Sequence, residues 1–118
     1  MKLDGRVGDS AVVGAGLYAE NGTGGVAASG TGEAIMSVCL SKLAYDLMAK
    51  GKSAMEACKA SIDYITAKEG HDTAGLIAID AKGNFGYALN TKTMIIAKRS
   101  DDIETPVVGV LRGSILPR

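Results

Sequence analysis

The chain is poor in aromatic residues: it has no Trp, one Phe and four Tyr in 118 residues. A core of that size must therefore be filled mainly by aliphatic and small side chains. Cysteine is scarce too. Cys39 and Cys58 share no C-x-x-C spacing, both fall in stretches of helical pattern, and they read as buried reduced thiols rather than a disulfide or metal framework. His71 is the single histidine. It lies in a predicted loop beside Glu69 and Asp72, which reads as a solvent-exposed side chain and not a metal ligand. Formal net charge is zero, so no electrostatic term favours nucleic acid or an anionic membrane. No apolar run is long enough to span a bilayer, and no secretory leader pattern opens the chain. The reduced cysteines fit a cytoplasmic protein.

Glycine is what the chain has in excess. Sixteen glycines are present, and more than half lie before residue 33. A glycine-rich front implies backbone in unusual conformations or close to another group. Two short strands are predicted there, over residues 11–18 and 25–29. Ile35, Met36, Cys39, Leu40, Leu43, Leu47 and Met48 then recur at helical spacing, and Lys50–Gly51 supplies a stop. Ser53 and Glu56 form a capping box for a second helix, with Cys58, Ser61, Ile62 and Ile65 on one face and an end near residues 68–70. A hairpin follows: strands over 74–80 and 85–90, with Gly83 in the turn. Further strands are predicted at 93–99 and 107–111. Strands, two consecutive helices, then antiparallel strands make an α+β fold, and no linker divides the single domain expected over residues 1–118.

Four stretches could carry chemistry. "GAGLYA" (residues 14–19) fits the loose dinucleotide fingerprint, but "ENGTGG" follows where that motif needs a helix, so a nucleotide cofactor is disfavoured. No cofactor is expected. "SGTGE" (residues 29–33) ends a strand, turns on two glycines and starts a helix. Such a turn presents backbone N–H groups that can stabilise an oxyanion, and Glu33 complements the helix dipole; it is equally a well-built strand-to-helix turn. "GRVGDS" (residues 5–10) sets Arg6 three residues before Asp9 among small residues. Arg binds a carboxylate bidentately and Asp accepts from an ammonium, so the pair could hold an α-amino acid head. The alternative is a solvated turn with an incidental ion pair.

The fourth stretch, "GLIAID..GN", completes a series. "GRVGDS..GAG.YA", "SGTGE" and "GLIAID..GN", in this order and spacing, resemble the β-subunit of plant-type L-asparaginases and of the related isoaspartyl peptidases and aspartylglucosaminidases. The resemblance runs from about Met1 to Lys98 and implies a partial αββα sandwich of the N-terminal-nucleophile hydrolase type. In such enzymes a precursor cuts itself to free a Thr, which attacks the side-chain amide of Asn or a β-aspartyl peptide with its own α-amino group as base. The resemblance implies that Arg6 holds the substrate α-carboxylate, Asp9 the α-ammonium, and Gly32 the substrate head. Ser29 and Gly30 stand where the family has a Thr-Gly pair, supplying a hydroxyl and a backbone N–H to the oxyanion hole. Ala11 stands where the family usually has Pro. The resemblance also implies that the nucleophile Thr lies upstream of "GRVGDS", in a strand this chain does not contain, together with an α-subunit. The expectation is a substrate-binding half, active only with a partner that supplies the Thr. The alternative is an inactive truncated homologue that self-associates. Either way a homodimer or hetero-assembly is expected, because "GLIAI" and "TMIIA" are uncharged strands that a lone half-sheet would leave uncovered.

Overall fold

A computed structural model describes residues 3–112. The front of the chain is not a strand until late. A single 3-10 turn spans Asp9–Ala11, and β1 begins only at Leu17, running Leu17–Glu20. The strand predicted over 11–18 is therefore mostly a loop. Its residues wrap Asp9: Val12 N–H donates to the Asp9 carbonyl at 2.8 Å and Gly16 N–H to the Val12 carbonyl at 3.0 Å. Val12 and Val13 stay exposed, so their β-propensity had no sheet to serve.

β2 (Gly24–Gly30), β3 (Ala74–Asp80) and β4 (Phe85–Leu89) complete a four-stranded antiparallel sheet in the order β1-β2-β3-β4. The predicted hairpin is present, and Gly83 takes φ +86° in its turn. β5 (Thr93–Lys98) and β6 (Val107–Arg112) pair separately as a two-stranded antiparallel ribbon. Within the sheet, period-two alternation divides β3 cleanly: Ala74, Leu76 and Ala78 are buried, while Ile77 and Ile79 are about half exposed on the other side.

The buried side of the sheet is covered by helices. α1 spans Gly32–Val38, α2 Leu40–Ala49 and α3 Ala54–Glu69. The first predicted helix is thus two helices, broken at Cys39, which sits in the left-handed region at φ 48° and is exposed rather than buried. The cause is tertiary. The amides of Ser41 and Lys42 donate to the carbonyls of Ala15 and Gly14, at 3.1 and 2.8 Å, and so draw the first turn of α2 onto the loop before β1. The apolar spacing runs through the break because both helices face the same core, so periodicity could not reveal it. The Ser53 half of the capping box forms: Ser53 Oγ accepts from the Glu56 amide at 3.1 Å, and the Glu56 carboxylate accepts from the Ser53 hydroxyl at 2.9 Å rather than from the Ser53 amide. Ile35, Leu40, Cys58, Ile65 and Leu76 are fully buried at the centre of the layer. Burial pushes the Cys58 thiol up to about 12, which keeps it a neutral hydrophobe.

Candidate functional site

The site forms where β2 hands over to α1. Gly30 pairs with Ala74 across the sheet at φ +148°. A Cβ there would meet the Thr73 carbonyl oxygen at 2.1 Å, so only glycine lets the two strands approach this closely. The next amide, of Thr31, donates to that carbonyl at 2.8 Å. Thr31 then turns the chain, and α1 begins at Gly32. Ser29, opposite Gly75 in the register, is exposed at the same end of β2.

Arg6 and Asp9 arrive from the front loop and both approach Gly32. A Cβ built on Gly32 would lie 3.3 Å from both the amide and Oδ1 of Asp9, and 3.4 Å from Arg6 Nη2. Gly32 is thus the floor of a tight niche on which both charged side chains of the front loop pack, with no space to spare for a Cβ. Asp9 is 5% exposed, and its Oδ2 is buried without a hydrogen-bond partner among the described residues. An unpaired buried carboxylate oxygen is costly and calls for a donor.

The incidental Arg6–Asp9 ion pair does not form. Arg6 Nη2 instead donates to Glu33 Oε1 at 2.5 Å, across 27 residues of sequence. Glu33 lies one residue past the niche floor. Its carboxyl is held below the usual carboxylate range, first by its own backbone amide at the helix start and then by the Arg6 guanidinium. The sequence reading placed Glu33 at the helix dipole and missed this partnership; a charge-balanced pair of motifs was the available signal.

A second residue missed by sequence reasoning supports the turn from behind. Asn90, just past β4, is 8% exposed and fully used. Its Oδ1 accepts from the Thr73 and Ala74 amides at 2.9 and 2.8 Å. Its Nδ2 donates to the hydroxyls of Thr66 and Thr73, each at 2.8 Å, and to the Gly70 carbonyl at 3.3 Å. This clamp fixes the backbone against which Gly30 packs. A lone amide closing an apolar strand was its only trace in the sequence.

The remaining candidates do not join the niche. "GAGLYA" enters β1, a strand where the dinucleotide motif needs a helix. His71 is half-buried, not fully exposed, and its Nε2 has no hydrogen-bond partner among the described residues. Among those residues no group of three or more His, Cys, Asp or Glu is placed to hold a metal ion, and no helix is long and apolar enough to cross a membrane.

The family described as asparaginase matches residues 1–108. The plant-type L-asparaginase of Pyrobaculum calidifontis is 46% identical over 94 residues, which cover 80% of this chain and 31% of that protein. The plant-type L-asparaginase of Pyrococcus horikoshii is 43% identical over 110 residues, 93% of this chain and 36% of that protein. The isoaspartyl peptidase/L-asparaginase of Xenopus laevis is 39% identical over 101 residues, 86% of this chain and 32% of that protein. This chain belongs to the asparaginase family, and it spans about a third of the length of these curated relatives.

Proposed function

We propose that this chain supplies the amino-acid-binding half of an amidohydrolase that cleaves the side-chain amide of asparagine or the isopeptide bond of a β-aspartyl peptide. Arg6 receives the substrate α-carboxylate in its guanidinium fork, and the Asp9 carboxylate receives the α-ammonium. Gly32, which has no side chain, lets the start of α1 come close to both of them. With the head held there, the side-chain carbonyl is directed to the Ser29–Gly30 turn. The Ser29 hydroxyl and the Gly30 N–H then stabilise the negative charge that develops on its oxygen, a contribution of about 10²–10³ in rate per donor in such sites.

In this reading the nucleophile is a Thr at a free N-terminus, as the family resemblance implies. Its Oγ adds to the carbonyl carbon while its α-amino group takes the hydroxyl proton. The tetrahedral intermediate expels ammonia, or the amine of a β-aspartyl peptide, which leaves with that proton. Water, deprotonated by the Thr α-amino group, attacks the β-aspartyl ester, and that proton passes to Thr Oγ as the ester bond breaks. Aspartate departs and the Thr hydroxyl is restored. No cofactor enters these steps.

The observation that carries this reading is the convergence of Arg6 and a buried, unsatisfied Asp9 on Gly32, two residues from the Gly30 turn. The names of the relatives, asparaginase and isoaspartyl peptidase, supply the substrate class. Calorimetric titration of the full chain with L-aspartate, the reaction product, tests it. Saturable binding that disappears in Arg6→Ala is expected; no binding at millimolar aspartate would contradict it.

Assembly is part of the same proposal. Ile77, Ile79, Ile95, Val108 and Val110 expose apolar surface on the side of the sheet away from the helices and on the β5–β6 ribbon. Such a surface favours association with a second copy or with the segment that carries the Thr. A second copy alone, with no Thr supplied, would make the chain a non-catalytic binder that self-associates. Sedimentation at micromolar concentration is expected to give a species larger than the monomer; a monodisperse monomer would contradict it.

A further inference from the structure

Glu33 is the one charged group that touches the niche without a place in the mechanism above. It projects from the first turn of α1, beside the niche floor, and is well exposed. Arg6 comes from a loop that precedes every regular element, on a side chain with about 2 kcal/mol of rotamer entropy to lose. Asp9, the other anion at hand, does not pair with it: among the described residues the guanidinium's single hydrogen bond is Nη2 to Glu33 Oε1. That same Nη2 lies 3.4 Å from the position a Gly32 Cβ would take. One contact therefore sets where the cation stands relative to the niche, and it uses one end of the fork only. The other donors of the guanidinium are left to meet a carboxylate.

We propose that Glu33 is the positioning residue of the amino-acid socket, holding Arg6 over Gly32 so that the guanidinium meets the ligand carboxylate already oriented. The inference rests on the reading of Arg6 and Asp9 given above. Glu33 does not itself touch the ligand. Its work is to remove the ordering cost of a long side chain before the ligand arrives. The function requires a hydrogen-bond acceptor on Nη2 rather than a negative charge as such, and this separates it from a competing role. A Glu33 that merely occupied Arg6 until displaced would weaken binding, and its removal would tighten it.

The test uses the full chain as wild type, Glu33→Gln, Glu33→Ala and Arg6→Ala. Two readouts are taken: the order of the Arg6 Nε–H group by 15N relaxation, without ligand, and the affinity for L-aspartate. Glu33→Gln keeps the acceptor, so an ordered Arg6 and an affinity within about threefold of wild type are expected. Glu33→Ala removes it, so a mobile Arg6 and a loss of about five- to tenfold are expected. Tighter binding in both Glu33 variants would overturn the proposal, as would an Arg6 as ordered in Glu33→Ala as in wild type. If no protein of the set binds L-aspartate, the proposed function fails, and the Nε–H comparison decides by itself whether Glu33 holds Arg6.

Discussion

At Gly24 a Cβ would meet the Ile79 carbonyl oxygen at 2.0 Å; at Gly30 it would meet the Thr73 carbonyl oxygen at 2.1 Å. The two ends of β2 thus use the same backbone device, a glycine at φ +142° or +148° pressed against β3. What surrounds them differs. Past the Gly24 end, Asp80 is satisfied by the Lys82 and Asn84 amides, each at 2.9 Å, and by Asn84 Nδ2 at 3.1 Å, all in an exposed turn. Past the Gly30 end, Asp9 is buried with one oxygen unpartnered, Arg6 stands across from it, and Asn90 braces the turn from the interior. A close-approach glycine is therefore no mark of function. What sets the Gly30 end apart is a buried carboxylate oxygen with no partner among the described residues, and the proposed function rests on that difference.

That contrast can be broken in graded steps. The largest difference is expected in the supports. Asn90→Ala orphans two buried amides at once and should cost about 3 kcal/mol, whereas Asp80→Ala removes contacts in a solvated turn and should cost about 1 kcal/mol or less. Chemical denaturation of the two variants checks this, and equal losses would mean that the clamp is not special.

Next comes the niche floor. Gly32→Ala places a methyl 3.3 Å from Asp9 Oδ1 and should lower L-aspartate affinity by at least about tenfold. Stability should change by about 1 kcal/mol or less, because alanine favours the helix it enters. At the other end, a Cβ on Gly25 meets Ala19 Cβ at an ordinary 3.5 Å, so Gly25→Ala should leave affinity unchanged. Titration calorimetry on both reads the split.

Asp9→Asn sharpens the comparison by its sign. Removing a buried, partly unsatisfied charge should raise stability by about 1 kcal/mol while abolishing aspartate binding. A melt in urea, with affinity measured alongside, would expose a purely structural Asp9 as a variant that loses stability.

The smallest effect concerns Asp80. Hydrogen bonding from the Asn84 side chain, with the turn amides adding to it, holds its carboxyl below the usual range. A lowered folded-state pKa stabilises the fold above the unfolded value of about 4, and the gain is lost as pH falls through the folded value. Between pH 7 and 5 the Asp80 carboxyl should therefore not titrate by 13C NMR, and its midpoint should fall below about 4.

Much of this arrangement was legible in the sequence, for reasons that particular residues make plain. The β3–β4 hairpin, α3 and its Ser53–Glu56 cap follow from local pattern: alternation, a turn glycine and a side chain three residues from its partner. Arg6, Asp9, Gly32, Ser29 and Gly30 stood out as motif residues, and the fold brings Arg6 and Asp9 close to Gly32. What was not legible needs the chain to fold back on itself. The break at Cys39 is caused by carbonyls at Gly14 and Ala15, and the loop before β1 closes around Asp9. The Arg6–Glu33 pair spans 27 residues, and Asn90 reaches Thr66 across 24. No local periodicity encodes such contacts.

The central claim is that a charged amino acid binds at the Gly30 end of β2 and not at the Gly24 end. Titration of the 15N-labelled full chain with L-aspartate reads both ends in one spectrum. Saturable shifts of the Gly30, Gly32 and Glu33 amides, with the Gly24 and Gly25 amides stationary, are expected. Shifts confined to the Gly24 end, or none at millimolar aspartate, would contradict the claim.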